Sequence, residues 1–470
     1  MGDDLIKQPI RRIAAVLRQG KARAEALIDQ VIERHERLDA TLGAYKHWDP
    51  EHARDQARTA DAALAAGHDA GPLMGLPISI KDIYGVEGMP TFAGMAEELP
   101  AEWRREGPVV KALRRQLPVV TGKTHTVELA FGGVGTNPHW GSPRNPWDAE
   151  AHRVCGGSSC GAGVSLAEGS AVVAMGSDTG GSVRLPASVT GNVGLKTSIG
   201  RWSARGIVPL SSSFDTPGPL TRSVEDAIVA FSVIDPAHDD GEALFRRCDA
   251  VAPADICLGI CEEHFWENCA PGVAEGVKAA IDELTASGAQ LERLSLPEAG
   301  QARERFFRAA LFGVEGLSFL EEAYPDRIEA VDPNVRARFE AARKVSAPTY
   351  FTEMRKIEEL AAAADKRLSQ VDVLVTPMVP ITPPILDQVA SADDYARANL
   401  SMTQNSQAIN LLALSAITMP VALDQAGMPV GMQLVARHGQ EERLLAVALA
   451  CEKVLGTAAQ RLGPPPLCAD

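Results

Sequence analysis

The sequence predicts an α/β protein. Three observations carry that reading. The 470 residues are 45% hydrophobic and 23% charged, which is the composition of a globular chain long enough for one large α/β domain or two modest ones. Short β-branched runs, such as Val119–Val120 and Val172–Met175, alternate with helical stretches. Residues 255–294 read as strand, helix and strand in succession, a βαβ unit.

Residues 11–38 carry helical periodicity, with Leu27, Ile28, Val31 and Leu38 on one face. Residues 51–66 form an Ala-rich helix that Gly67 closes. From Gly71 to about Arg222 the chain is rich in Gly, Ser and Pro between strand and helix signals, the texture of loops carried on a sheet. Residues 240–370 are charged, helical and poor in Gly. Within them Asp255–Ile260 reads as a strand, Val273, Val277, Ile281 and Leu284 line a helix that stops at Gly288, and Leu291–Leu294 reads as the next strand. Val371–Thr376 is a further apolar strand. Ile417–Ala422 and Met432–Val435 read as paired strands, Gln440–Val454 as an amphipathic helix, and the final GPPPLCAD as a loose terminus.

Lys and Arg number 46 against 61 Asp and Glu, a net charge of −15, so a broad phosphate-binding face is not expected. No apolar run reaches a membrane span, and MGDDLIKQPI has no apolar signal region. Gly2 invites a myristoylation reading, but Ile6 stands where Ser or Thr is required. A cytoplasmic protein without membrane or nucleic-acid partners is therefore expected. Eight cysteines are too few for a disulfide scaffold. Cys257, Cys261 and Cys269 near His264 match no zinc spacing and read as core or surface thiols. No metal and no cofactor are expected.

Two loops carry the chemistry. One is CGGSSCGAG (155–163), the other GSDTGGSVR (176–184). Each sets serine beside paired glycines. A serine nucleophile needs close backbone approach and free N–H groups aimed at a developing oxyanion, and glycine permits both. Neither loop fits a phosphate-binding pattern, and Asp178 would repel a phosphate. Upstream, GLPISIKD (75–82) ends an apolar strand at Lys81. A buried lysine loses pKa by desolvation and can act as a base. A Lys81–Asp82 surface pair is an equal reading of that spacing.

These stretches, with GNVGLK (191–196) and GPLTRSVEDA (218–227) following in order, closely resemble the amidase signature family. The interval between Ser158 and Ser182 fits as well. The resemblance runs from about residue 8 to 455, strongest over 71–228 and again over 370–455. It implies one domain over 1–470: N-terminal helices to residue 70, a signature core over 71–228, a variable helical region over 240–370, and the rest of the core over 371–455. The implied fold is a mixed, twisted central sheet flanked by helices on both faces.

By the same resemblance, Ser182 is the expected nucleophile, Ser158 a bridging serine after a cis peptide, and Lys81 the general base in neutral form. Thr179, Gly180, Gly181 and Ser182 would supply oxyanion-hole N–H groups. Ser159, Asp178 and Arg184 would orient the loops. The reaction implied is hydrolysis of a small carboxylic amide or ureido-type C–N bond through an acyl-enzyme, releasing ammonia or an amine. Cys155 and Cys160 depart from the family's usual residues, and we read Cys160 as packing.

Phe131, Gly132, Gly133 and Val134 sit where the family places part of the acyl pocket, with Ser211–Asp215 and the helices of 310–350 as further candidates. His139 and Trp140 read as a lid over the core. The alternative is the glutamine-hydrolysing component of a tRNA-dependent amidotransferase. Against it, GKTHTVELAFGGVGTN (122–137) and PLSSSFDTPGPLTR (209–222) differ from that component's usual text. A homodimer is common among relatives. A catalytically inert binding protein is disfavoured by the joint presence of Lys81, Ser158 and Ser182.

Overall fold

The computed structural model describes residues 4–238 and 240–469, so the Gly2 reading lies outside the described residues. Eleven strands form one mixed sheet. In chain order they are β1 (Tyr45–Trp48), β2 (Pro77–Lys81), β3 (Val119–Thr124), β4 (Val173–Asp178), β5 (Val193–Lys196), β6 (Thr216–Thr221), β7 (Cys257–Ile260), β8 (Gln290–Arg293), β9 (Val373–Pro377), β10 (Ser415–Leu423) and β11 (Pro429–Ala436). Across the sheet they run β1-β3-β2-β4-β6-β5-β10-β11-β9-β7-β8. Parallel pairing holds β3-β2-β4 and β9-β7-β8, and the six remaining joints are antiparallel.

Every residue of β2, β3, β4, β5, β6, β9 and β11 is buried. A strand buried on both faces needs layers above and below it, and the flanking helices supply them. The two edges behave differently: β1 is half-buried and β8 exposed. The β10–β5 joint ties the 191–196 stretch to the C-terminal part of the chain, pairing Ala416 with Lys196 and Thr418 with Gly194.

Three elements depart from the sequence reading. The 11–38 stretch is two helices, Ile10–Arg18 and Ala24–Leu42. Gly20 adopts φ 63° between them, and Asp61 accepts the N–H groups of Ala24 and Glu25, fixing a new helix start. The strand read from Asp255 begins at Cys257, because Pro253–Asp255 is a 3₁₀ turn whose Asp255 carboxylate accepts the Ala252 N–H. The tail is not loose: the Leu467 N–H donates to the Pro146 carbonyl at 3.1 Å, and Leu467 and Cys468 pack on the cluster around Leu42, Cys155 and Cys160. The βαβ unit is present, with β7 and β8 parallel on either side of the helix Val273–Ala286.

Candidate active site

Parallel pairing of β2 with β4 sets the carboxyl ends of both strands side by side. Ile80 pairs with Met175, so Lys81, the last residue of β2, emerges beside Gly176 and Ser177. Lys81 is wholly buried. Its Nζ lies 2.7 Å from Ser158 Oγ and donates to Ser177 Oγ at 2.9 Å. No ion-pair partner for it occurs among the described residues. Burial, only partly offset by the more distant Cys160, Asp215 and Asp178, brings its pKa down to about 7. A cation held between two hydroxyls without a counter-ion gives up its proton easily, and the neutral amine then offers a lone pair to Ser158.

Ser158 sits just before the helix Cys160–Glu168, and its peptide bond to Gly157 is cis. The Val127 N–H and the Thr126 hydroxyl donate to its carbonyl at 3.1 and 3.0 Å. The neighbouring Ser159 N–H donates to the Ser182 carbonyl at 3.3 Å, which clasps the two serine loops together. A Cβ at Gly157 would lie 2.8 Å from the Gly132 carbonyl oxygen, so no larger residue fits there.

Ser182 opens onto a cavity of about 430 Å³ and is 7% exposed. Its hydroxyl has no hydrogen-bond partner among the described residues. The loop that carries it is caged from behind. Arg184 grips Asp178 through two bonds of 3.0 Å and reaches Gln433 and Asn410 at 2.5 Å each. Burial alone would raise the Asp178 pKa, yet Arg184 holds its carboxyl well below the usual carboxylate range. Asp178 in turn accepts the Gly181 N–H at 2.8 Å.

That last bond corrects one expectation. Gly181 is expected in the oxyanion hole, but its N–H is spent on Asp178 and the residue does not line the cavity. Thr179, Gly180 and Ser182 do line it. The N–H groups of Gly180 and Ser182 have no acceptor among the described residues. Thr179 is held by its hydroxyl, which donates to Asp215 at 2.5 Å. Asp215 also accepts the Leu210 and Ser211 N–H groups at 3.0 Å each. Burial lifts its pKa to about 6.

Of the expected pocket residues, Phe131, Gly132 and Gly133 line the cavity. Val134 does not: it is fully buried with Val154, Leu185 and Val189. From 209–215 only Leu210 reaches the cavity, and Asp215 stands behind Thr179. The 310–350 stretch contributes Phe312 and Gly313 and one face of the helix Pro333–Ala342. His139 and Trp140 lie elsewhere: Trp140 donates to the Met95 carbonyl at 3.0 Å and packs edge-on to Phe92 and His125. Cys160 is buried, with Sγ 3.6 Å from His125 Nδ1, and stays off the cavity wall.

Two contributors escape the sequence reading. Ser177 holds Lys81, and GSD in the motif places that hydroxyl one residue before the conspicuous Asp178. The helix Ala392–Met402 forms a whole wall, with Tyr395 and Asn399 one turn apart and Thr403 a turn further on. That spacing is the available signal. Among the described residues no group of three His, Cys, Asp or Glu side chains is placed to hold a metal ion, and His264 Nε2 sits 3.2 Å from the Gln404 carbonyl.

The comparisons with known proteins follow this geometry. Residues 26–445 match the Amidase family. The chain is 47% identical over 457 residues to 2-amino-5-chloromuconic acid deaminase of Comamonas testosteroni, covering 97% of each. It is 31% identical to the glutamyl-tRNA(Gln) amidotransferase component of Salinispora tropica that shares this fold, covering 96% of this chain and 98% of that one. A crystal structure of an amidase superimposes with a TM-score of 0.84 at 30% identity, over 96% of this chain and all of the other. With the match spanning the strands that carry Lys81, both serine loops and the cavity walls, this chain belongs to the Amidase family.

Proposed function

We propose that this enzyme hydrolyses a small carboxylic amide or ureido-type C–N bond, with Ser182 as nucleophile, Ser158 as relay and Lys81 as base. The observation that carries the reading is the buried Lys81 Nζ, 2.7 Å from Ser158 Oγ and without a carboxylate partner. Ser182 Oγ attacks the carbonyl carbon. Its proton passes to Ser158 as the Ser158 proton passes to Lys81 Nζ. The oxyanion meets the N–H groups of Gly180 and Ser182, with Thr179 beside them. Collapse expels the nitrogen, which takes its proton back along the same relay. Water then attacks the acyl-enzyme with Lys81 again as base, releasing the acid and freeing Ser182. Ser159, Asp178 and Arg184 orient the loops and move no proton.

A free-standing enzyme is the better reading than one component of an amidotransferase. The 47% identical relative is named a deaminase, which supports ammonia as the released product and a small molecule as substrate. A cytoplasmic homodimer is the state the resemblance implies, and sizing chromatography reads it. Among the described residues no helix is long and apolar enough to cross a membrane. The test is a hydrolysis panel of aliphatic, aryl and ureido amides with the purified chain. Turnover by the chain alone, lost in Ser182→Ala together with fluorophosphonate labelling, is the expected result. Glutaminase activity that emerges only with the other amidotransferase components added would overturn it.

A further inference from the structure

The cavity wall is almost wholly neutral. Phenylalanine, alanine, leucine and glycine make most of it, no carboxylate lines it, and Arg338 carries its single formal charge. Arg338 makes no ion pair among the described residues. Its guanidinium is nonetheless fixed: Nε donates to the Asn334 carbonyl at 3.2 Å, Nη1 to the Phe131 carbonyl at 2.6 Å and Nη2 to the Tyr395 hydroxyl at 3.1 Å. The Phe131 and Tyr395 rings stand 4.7 and 5.4 Å from its central carbon. A guanidinium has five N–H donors, so one remains on each terminal nitrogen. That pair is the fork that matches the two oxygens of a carboxylate.

We propose that the substrate is an anion, an amide that also bears a carboxylate, and that Arg338 holds that carboxylate while Ser182 attacks the amide. The proposal rests on the hydrolase reading for the second half only. An unpaired cation facing an apolar cavity is costly until an anion neutralises it, so a carboxylate gains there what a neutral group of equal size does not. The anchor is also tied to the chemistry. Its Nη1 holds the Phe131 carbonyl, Asn399 accepts the Gly133 N–H at 2.8 Å, and the Gly133 carbonyl accepts the Gly157 N–H at 2.8 Å, next to Ser158. A second arginine without an ion-pair partner, Arg303, lies at the adjoining surface hollow beside Phe307 and Leu400, both of which also line the cavity. It gives an incoming anion a positive approach.

The test compares ω-amido acids (succinamate, glutaramate, adipamate) with the neutral diamides of the same length. The wild-type enzyme is expected to prefer the acids by at least tenfold in kcat/KM, through KM. Arg338→Met is expected to erase the preference, a relative loss of roughly 100-fold, and Arg338→Lys to restore part of it. Calorimetry of adipate on the Ser182→Ala protein reads the anchor without turnover: binding that Arg338→Met abolishes supports the proposal even if no amide in the panel is cleaved, an outcome that would count against the hydrolase reading alone. A wild-type preference for the diamides, or adipate binding indifferent to Arg338, overturns it.

Discussion

Lys81 is a base because of where its strand ends. Five buried residues of β2 deliver the ammonium into a dry pocket, and two hydroxyls are all it finds. With its pKa lowered to about 7, the amine is protonated below that value and cannot accept the Ser158 proton. The kcat/KM profile is therefore expected to rise with pH along a limb centred near 7, and to flatten above it. A profile flat from pH 5.5 to 8 would rule out Lys81 as the base. Ser177 directs the lone pair by taking one of the Nζ hydrogens. Ser177→Ala is expected to lower kcat roughly tenfold with KM little moved, because the base is left present but unaimed. A change in KM alone would reassign Ser177 to substrate binding.

At the scale of the element, the nucleophile loop depends on one glycine and one arginine. Gly181 has φ 124°, and a Cβ there would meet Ser406 Oγ at 2.2 Å. Gly181→Ala is expected to destabilise the fold by about 1–3 kcal/mol and to cut activity further by displacing Ser182. Thermal denaturation and kcat read the two effects separately. Arg184→Met strands the buried Asp178 carboxylate and is expected to cost about 3–5 kcal/mol. An unaltered melting temperature would show the cage to be dispensable. This loop is legible in the sequence because its chemistry is local: serine beside paired glycine, and a lysine closing an apolar strand. The helix Ala392–Met402 is not, because which face of it meets the cavity is decided by packing against Phe131–Gly133, some 260 positions away in the chain. The order of the sheet is hidden for the same reason. β5 meets β10, and β9 lies between β11 and β7, through pairings that no neighbouring residues announce. Even Gly181, conspicuous in the motif, misleads, since only the fold reveals that Asp178 has already taken its N–H.

For the molecule as a whole, catalysis is set against stability. Lys81 and Lys196 are both fully buried, and burial lowers each to about 7. Lys196 is served by the carbonyls of Thr197 and Leu414 at 2.8 Å, and Arg184 adds to its depression. The reference value for lysine is 10.5. Between about 7 and 10 the unfolded chain binds a proton at each site that the folded chain does not, so both lysines make stability rise with pH across that window. At pH 7 the folded state bears a penalty on the order of 4 kcal/mol for Lys81, easing by about 1.4 kcal/mol per pH unit above it. Methionine at the same place has nearly the same length and no charge to desolvate. Lys81→Met is thus expected to be inactive and yet more stable than the wild type at pH 7, with the gap shrinking by about 2 kcal/mol at pH 8.5. Urea unfolding of both proteins at the two pH values measures this. Other groups titrating in the window are shared and cancel in the difference. A gap that does not change with pH would mean that Lys81 keeps its ordinary proton affinity in the fold, and the neutral base would have to be abandoned with it.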